Sequence, residues 1–206
     1  MHIPKSGTAG IEVLPFDEAL AESLCPHSDY DVQKWLYVPN RYDEYRYILG
    51  TRGKRPIICV GINPSTAAPD ALDPTLKSAQ RIALANDYDS FLMFNVYAQR
   101  ATRPDDMERE RNEWLHGENM KAFRYLLSLA GERPTVWAAW GAIIEKRPYL
   151  SDCVRDMAAI GREVGAVWCH AGPISVKGHP HHPLYLKSDT PLEPFDAEVY
   201  LDLLKY

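Results

Sequence analysis

The sequence lacks the features that mark secreted, membrane-spanning and generally nucleic-acid-binding proteins. Residues 1–10 hold no apolar run of the length of a secretion signal, and no segment approaches the roughly 20 apolar residues of a membrane span. The 206 residues carry a formal net charge of -5, which excludes the global positive field that drives tight non-specific binding to nucleic acid. We therefore predict a cytoplasmic protein without a membrane partner, whose contacts with nucleic acid would depend on a local patch.

Cysteine is also scarce, and its spacing excludes the usual zinc motifs. The four cysteines, Cys25, Cys59, Cys153 and Cys169, include no CxxC pair, and two of them lie in apolar, strand-like runs. Reduced and mostly buried thiols are the expected state, in preference to disulfides or a zinc site. The strand ends discussed below include no obvious pair of catalytic carboxylates and no cysteine-nucleophile motif, and we predict neither a metal nor a cofactor.

What the chain does contain is a short apolar run that stops at a glycine and is followed by polar groups. Residues 57–66 read IICVGINPST, and such a run without alternation is typical of a strand covered on both faces, as in a parallel sheet. Gly61 allows the backbone to turn or to approach a ligand, while Ser65 and Thr66 offer hydroxyls that fit an anion or a water. An ordinary strand-to-helix turn explains the same pattern.

Three later segments repeat this arrangement. The apolar run in residues 91–97 contains Asn95, residues 135–141 end at Gly141, and residues 165–169 are followed by His170. Helical patterns separate these runs, beginning with Asp73, which we interpret as the N-cap of a helix that has proline at its first position.

The alternation of strands and helices predicts an α/β fold, a three-layer α/β/α sandwich with a central, mostly parallel sheet. Residues 35–206 would form this single domain, and residues 1–34 would be a partly irregular extension with a short helix. The aromatic-rich segment 42–49 alternates as an edge or antiparallel strand, and residues 50–53 are predicted to form a hairpin turn into the strand that begins at Ile57.

Because the carboxyl ends of parallel strands meet at one edge of a sheet, the polar strand ends are expected to converge. Asn63, Asn95, Gly141 and the loop from His170 to Tyr185 would then share one site. Amides, imidazoles and hydroxyls can read hydrogen-bonding edges and stabilise charge, but they supply no strong base.

The order of these motifs resembles the uracil-DNA glycosylase superfamily. The chain shows Gly61-Ile62-Asn63-Pro64, then Asn95, then Gly141 after a tryptophan, then His179-Pro180. In the mismatch-specific and thymine-DNA branches the first motif is a GINP-type loop, and a late HP motif completes the pocket. The chain is more similar still, from about residue 45 to 186, to a mainly bacterial group called domain of unknown function 1643, through its NPSTA, DPT, RAT, WG and HPLYL motifs.

The resemblance implies roles for individual residues. Asn63 would hold the attacking water, Asn95 would pair with the edge of a pyrimidine-like base, and His179 would donate a hydrogen bond to the departing base. The other residues that we predict to lie around a substrate are Gly61, Ile62, Pro64, Ser65, Tyr97 and Gly141. Tyr97 would stack on a base, although packing in the core explains it equally well. An amide-based site of this kind requires a dissociative cleavage in which positioned donors supply most of the effect.

The chain also departs from the glycosylase pattern. Ser65 stands where glycine is common, and the late loop lacks the serine that usually follows His-Pro. Basic residues near the proposed edge are few: Arg100, Arg103, Lys177 and Lys187. Arg100, Arg103 and Lys177 would contact phosphate or backbone, although solvated surface charge is the preferred explanation of any single one. We therefore predict binding of a nucleobase, a nucleoside or a single-stranded or modified nucleic acid, with N-glycosidic bond hydrolysis as the expected activity. A non-catalytic nucleotide sensor and a metal-assisted hydrolase centred on the loop from His179 to His182 are the alternatives.

Overall fold

The computed structural model describes residues 1–5, 7–27 and 29–204. Its centre is a seven-stranded mixed sheet with the order β1-β2-β4-β3-β5-β6-β7. The strands are β1 (Trp35–Val38), β2 (Ile48–Thr51), β3 (Pro56–Gly61), β4 (Ser90–Asn95), β5 (Thr135–Ala138), β6 (Val167–Ala171) and β7 (Leu192–Pro194). The four central strands β4, β3, β5 and β6 are mutually parallel, and the outer strands join antiparallel.

The central strands are buried along almost their whole length. Every residue of β3 and of β4 is buried, which explains why these segments read as apolar runs without alternation. The α/β class and the mostly parallel centre predicted from the sequence are confirmed.

In the part of the chain that the structure describes, five α-helices flank the sheet: α1 (Phe16–Ser23), α2 (Pro74–Ala85), α3 (Glu113–Leu129), α4 (Pro148–Glu163) and α5 (Ala197–Leu203). The predicted N-cap of α2 is confirmed, since an Asp73 carboxylate oxygen accepts a hydrogen bond from the Leu76 amide at 2.9 Å. Asn112 caps α3 in the same way.

The helices divide unevenly between the two faces of the sheet. Helices α1, α3, α4 and α5 contribute to one apolar core, which includes Phe16, Phe123 and Trp140. Helix α2 packs alone among the helices on the opposite core, against β3 and β4. Consequently β3 leads into a helix on one face, whereas its neighbour β4 leads into a helix on the other.

Two details of the sheet differ from the sequence-based expectation. The predicted hairpin between residues 42–49 and the strand at Ile57 is wrong, because β2 pairs with β1 and β4 while β3 lies beyond β4. Gly50 permits this arrangement, since a Cβ atom there would lie 2.1 Å from the Phe91 carbonyl oxygen. In addition, His170 belongs to β6 itself and does not follow the strand.

Two further expectations concern the thiols and the membrane. All four cysteines are free, and Cys59, Cys153 and Cys169 are buried. Within the described residues, none of the helices combines the length and apolar character that a bilayer crossing requires.

Candidate functional site

A cavity of about 380 Å³ opens at the carboxyl ends of β3 and β4. These adjacent parallel strands lead to helices on opposite faces of the sheet, and such a switch in connection direction leaves a crevice in which α/β proteins commonly bind ligands. The lining includes Arg46, Gly61, Ile62, Asn63, Ser65, Asp73, Asn95, Thr102 and His182. Its volume falls within the range of small-molecule sites.

Asn63 presents one defined atom to this cavity. Its Nδ2 donates to the carbonyl oxygens of Pro64 at 3.1 Å and Ala101 at 2.7 Å. Both amide hydrogens are therefore engaged with the backbone, and Oδ1 remains as an acceptor. An acceptor in a fixed position is suited to orienting a water or a ligand N–H group.

Asn95 presents the opposite polarity. Its Oδ1 accepts a hydrogen bond from Arg46 Nη2 at 3.3 Å, so the amide group Nδ2 is the part left to meet a ligand. The side chain is only 2 % exposed. Gly61 keeps the space beside it open, because a Cβ atom at residue 61 would lie 3.2 Å from Asn95 Nδ2 and 2.6 Å from Met93 Cε.

Arg46 is a cation at the buried end of the cavity. It is 1 % exposed, and within the described residues its side chain donates only to neutral oxygens, those of Asn95 and of Ala67 at 3.2 Å. Burial, reinforced by the nearby charge of Arg100, lowers the pKa of Arg46 to about 9. The guanidinium therefore stays protonated at neutral pH although it is removed from water.

His182 and Asp73 face the same cavity from another direction. His182 Nδ1 accepts a hydrogen bond from the Leu184 amide at 3.3 Å, so the neutral imidazole carries its proton on Nε2. Burial lowers the pKa of His182, against the opposing effect of Asp73, and the neutral form is thereby favoured. Asp73, beyond its role as helix cap, adds a carboxylate to the lining.

The rim of the cavity includes two hydroxyls that contact each other and the N-terminal segment. Ser65 Oγ and Thr102 Oγ1 lie 3.1 Å apart. Thr102 Oγ1 also accepts from the His2 amide at 2.7 Å, and the Thr102 amide donates to the His2 carbonyl at 2.9 Å. The start of the chain thus packs directly beside the candidate site.

His179 lies outside this cavity. Its imidazole, 3 % exposed, lies 3.0 Å from the Tyr200 hydroxyl through Nδ1 and 3.0 Å from Glu145 Oε1 through Nε2. It lines a separate cavity of about 650 Å³ together with Glu145 and Lys177. The expectation that His179 shares a pocket with Asn63 and Asn95 does not hold, because the histidine of this loop that lines the cavity with the asparagines is His182.

The described lining of the cavity at the ends of β3 and β4 lies within the part of the chain that matches a known family model. Residues 46–184 match the family described as "Protein of unknown function (DUF1643)". The chain belongs to this family. The matched range begins at Arg46 and ends at Leu184, so it contains the whole described lining of the cavity. No curated protein and no solved structure matches the chain significantly.

Three other residues predicted for the site, Tyr97, Gly141 and Pro64, lie near the cavity at the ends of β3 and β4 but do not line it. Tyr97 is buried, and its hydroxyl contacts the Glu108 carboxylate and accepts from the Asn112 amide, so it is not placed to stack on a ligand in the cavity. Gly141 lies behind His182, where a Cβ atom would be 3.5 Å from the His182 Cβ. Pro64 is buried and contributes its carbonyl oxygen to the hydrogen bond that fixes Asn63.

The three predicted phosphate contacts also differ from expectation. Arg100 is fully buried and donates to the Ser65 and Ala67 carbonyls and to the Tyr37 hydroxyl, so it is not a surface contact. Lys177 pairs with both oxygens of Glu145, at 2.9 and 3.0 Å, beside the second cavity. Arg103 is exposed. It does not line the cavity that contains Asn63 and Asn95, which we call the asparagine cavity.

The histidine loop does not assemble into one cluster. His179 and His182 line different cavities, and among the described residues no group of three or more His, Cys, Asp and Glu side chains is arranged to hold a metal ion. Sequence reasoning missed Arg46 altogether and treated Asp73 only as a helix cap. Arg46 gives no local signal, since it sits in an alternating aromatic segment that indicates an ordinary strand.

Proposed function

We propose that this protein binds a nucleobase or nucleoside derivative in the cavity at the ends of β3 and β4 and hydrolyses its N-glycosidic bond. The observation that carries the proposal is the opposed polarity of the two strand-end amides. Asn63 offers an acceptor, Oδ1, and Asn95 offers a donor, Nδ2, in one cavity. An attacking water is oriented by a hydrogen-bond acceptor, and a departing base that gains electron density is stabilised by a hydrogen-bond donor. The two asparagines supply one group of each kind.

The proposed reaction is dissociative. The bond between the sugar carbon and the base nitrogen breaks, and its electron pair leaves with the base. The water oriented by Asn63 Oδ1 then adds to the sugar carbon, and the proton that it releases passes to the departed base. The carboxylate of Asp73 stabilises the positive charge that develops on the sugar. Asn95 Nδ2 and His182 Nε2–H donate to acceptor atoms of the departing base, where negative charge accumulates. His182 takes the part that the sequence comparison assigned to His179, because it is the histidine that lines this cavity.

The resemblance to the uracil-DNA glycosylase superfamily supports the same proposal. Asn63 occupies the position of the asparagine in the GINP motif, and it lies at the end of a buried strand as a water-holding residue would. The natural partner is a small nucleoside derivative or a single-stranded or modified nucleic acid. We do not extend the proposal to duplex DNA, because Arg100 and Lys177 are both occupied by other groups.

The test is release of a free base, measured by chromatography after incubation with nucleosides, nucleotides and oligonucleotides that carry uracil, mismatched thymine or hydroxymethylated bases. For oligonucleotides, alkaline strand cleavage provides a second readout. We expect base release by the wild type and a loss of roughly a hundredfold for Asn63→Ala, since a positioned polar group of this kind contributes around 3 kcal/mol. Asn40→Ala, which removes an amide that donates to the Glu22 carbonyl, is the matched control. No base release from any substrate, or an Asn63→Ala variant as active as wild type, refutes hydrolysis.

A second candidate function is a nucleotide sensor that uses the same cavity without turnover. The observation that favours it is that His179, the histidine that the resemblance assigned to the departing base, lines a different cavity. Thermal stabilisation by nucleosides or nucleotides, without base release over prolonged incubation, would support the sensor.

A further inference from the structure

The inner end of the asparagine cavity holds more positive charge than its protein partners neutralise. Arg46 and Arg100 are both fully buried side chains, and their Nη1 atoms donate to the same oxygen, the Ala67 carbonyl, at 3.2 and 3.3 Å. Two guanidiniums that share one carbonyl repel each other. The effect is visible in the pKa of Arg46, which burial and then the Arg100 charge lower.

Neither arginine forms an ion pair with a carboxylate of the described residues. Arg100 is satisfied in part by the Tyr37 hydroxyl at 3.0 Å and by the face of the Tyr42 ring at 4.2 Å. Arg46 has only the two neutral oxygens already named, and its Nε has no hydrogen-bond partner within the described chain. Buried charges in proteins are normally paired, so an unpaired one at a cavity wall is an unusual feature that needs an explanation.

Asp73 is the carboxylate that lines the same cavity, and it does not provide the missing partner. It caps α2 through the Leu76 amide, and it makes no contact with Arg46 within ion-pair distance in the described structure. Its negative charge also makes the beginning of α2 a poor place for an anion. An anion is therefore favoured where Arg46 and Asn95 line the cavity.

We propose that the ligand of this cavity carries an anionic oxygen group, a phosphate or a carboxylate, which binds to Arg46 and Asn95. This inference rests on the proposed function, because it specifies the nucleoside derivative as a charged one: either a nucleoside monophosphate or a nucleoside whose base bears a carboxylate. The guanidinium provides a charge-assisted hydrogen bond, and the amide of Asn95, already oriented by Arg46, provides a second donor. Asn95 Nδ2 carries two hydrogens, so one can bind the anionic group while the other donates to the base. Asn63 and His182 contact the rest of the ligand.

The test compares charged and neutral probes by isothermal titration calorimetry. The probes are inorganic phosphate, a pyrimidine nucleoside, its 5′-monophosphate, a pyrimidine base and the same base with a ring carboxylate. Wild-type protein is expected to bind the phosphorylated or the carboxylated probe roughly 10- to 100-fold more tightly than its neutral parent, the range typical of one or two charge-assisted hydrogen bonds. The probe with the larger preference identifies the source of the anion.

Two substitutions at Arg46 and one elsewhere make the test specific. Arg46→Met should abolish the preference for the charged probe, whereas Arg46→Lys should keep part of it because the positive charge remains. Arg124→Met, which removes a half-exposed arginine paired with Glu163, should leave the preference unchanged. The wild-type preference should also persist at high salt, since buried charges are screened weakly.

Three results would overturn the proposal: equal affinity of wild type for charged and neutral probes, a preference that survives in Arg46→Met, or no detectable binding of either charged probe. Failure of the proposed hydrolysis is distinguishable from these. Anion-dependent binding without base release would contradict catalysis alone, and base release from neutral nucleosides without any preference would contradict the anion site alone.

Discussion

Replacing Arg46 by methionine is predicted to make the ligand-free protein more stable. Wild-type Arg46 is a buried cation whose pKa falls from the ordinary 12.5 to about 9. At 1.36 kcal/mol for each pKa unit, this corresponds to a destabilisation of the charged form of roughly 5 kcal/mol at most. Methionine has a similar length, carries no charge and adapts to irregular space.

The gain is reduced by the hydrogen bonds that the variant loses. Asn95 Oδ1 would lose its donor, at a cost of about 1–3 kcal/mol, whereas the Ala67 carbonyl keeps its bond from Arg100. The net expectation is a stabilisation of roughly 2 kcal/mol. For a chain of 206 residues this raises Tm by about 4–8 °C.

The assay is urea and thermal unfolding followed by circular dichroism at pH about 7 without ligand, with Arg124→Met as the control expected to stay within about 0.5 kcal/mol of wild type. The pH dependence adds a second criterion. Because the folded pKa of Arg46 lies below its unfolded value, the destabilisation is complete below pH about 9 and declines as the pH rises above it. The difference between wild type and Arg46→Met should therefore narrow above pH about 9. A variant less stable than wild type by more than about 1 kcal/mol would refute the reasoning and make Arg46 a structural residue.

Three further predictions concern the lining of the cavity. Gly61→Ala should weaken binding of a nucleoside monophosphate at least about tenfold in calorimetry, because its Cβ would enter the space beside Met93 and Asn95; unchanged affinity would show that this space is unused. The free energy of unfolding should fall less for His182→Gln than for wild type when the pH is lowered from about 7 to about 5. A histidine whose pKa is lowered in the folded protein contributes stability above its unfolded pKa, and wild type loses this contribution in acid. Identical acid unfolding curves would contradict this. His182→Ala should lower base release at pH about 7 by roughly 10- to 100-fold, and an active variant would remove His182 from the proposed mechanism.

The central strands and their polar ends could be predicted because their signals are local. An uninterrupted apolar run identifies a strand buried on both faces, and the rule that parallel strands share a carboxyl edge then brings Asn63 and Asn95 together. Asp73 followed by proline likewise identifies the beginning of α2. Each inference uses a few neighbouring residues or a general property of parallel sheets.

Pairing between distant strands could not be predicted in the same way. The segment before Gly50 reads as one arm of a hairpin, yet it pairs with β4, about forty residues later. What allows this is the missing Cβ of Gly50 next to the Phe91 carbonyl, a contact that becomes apparent only once the two strands are side by side. The choice between His179 and His182 has a similar origin, since the backbone of an irregular loop decides which imidazole faces the cavity.

Arg46 shows where local and global requirements conflict. It lies between Tyr45 and Tyr47, and alternation would place an arginine in such a segment on the solvent side, with the tyrosines inside. All three side chains are buried instead, because the segment passes the polar end of β4, where the Arg46 amide donates to the Ala98 carbonyl. A neutral side chain would satisfy the fold at lower cost, so a guanidinium at this position is better explained by what it binds than by what it stabilises. Two experiments test this argument: the titration of charged against neutral probes measures ligand binding, and the unfolding of Arg46→Met measures the stability cost of the buried charge. If Arg46→Met is more stable than wild type but still prefers the charged ligand, then Arg46 does not bind the anion, and the argument is wrong.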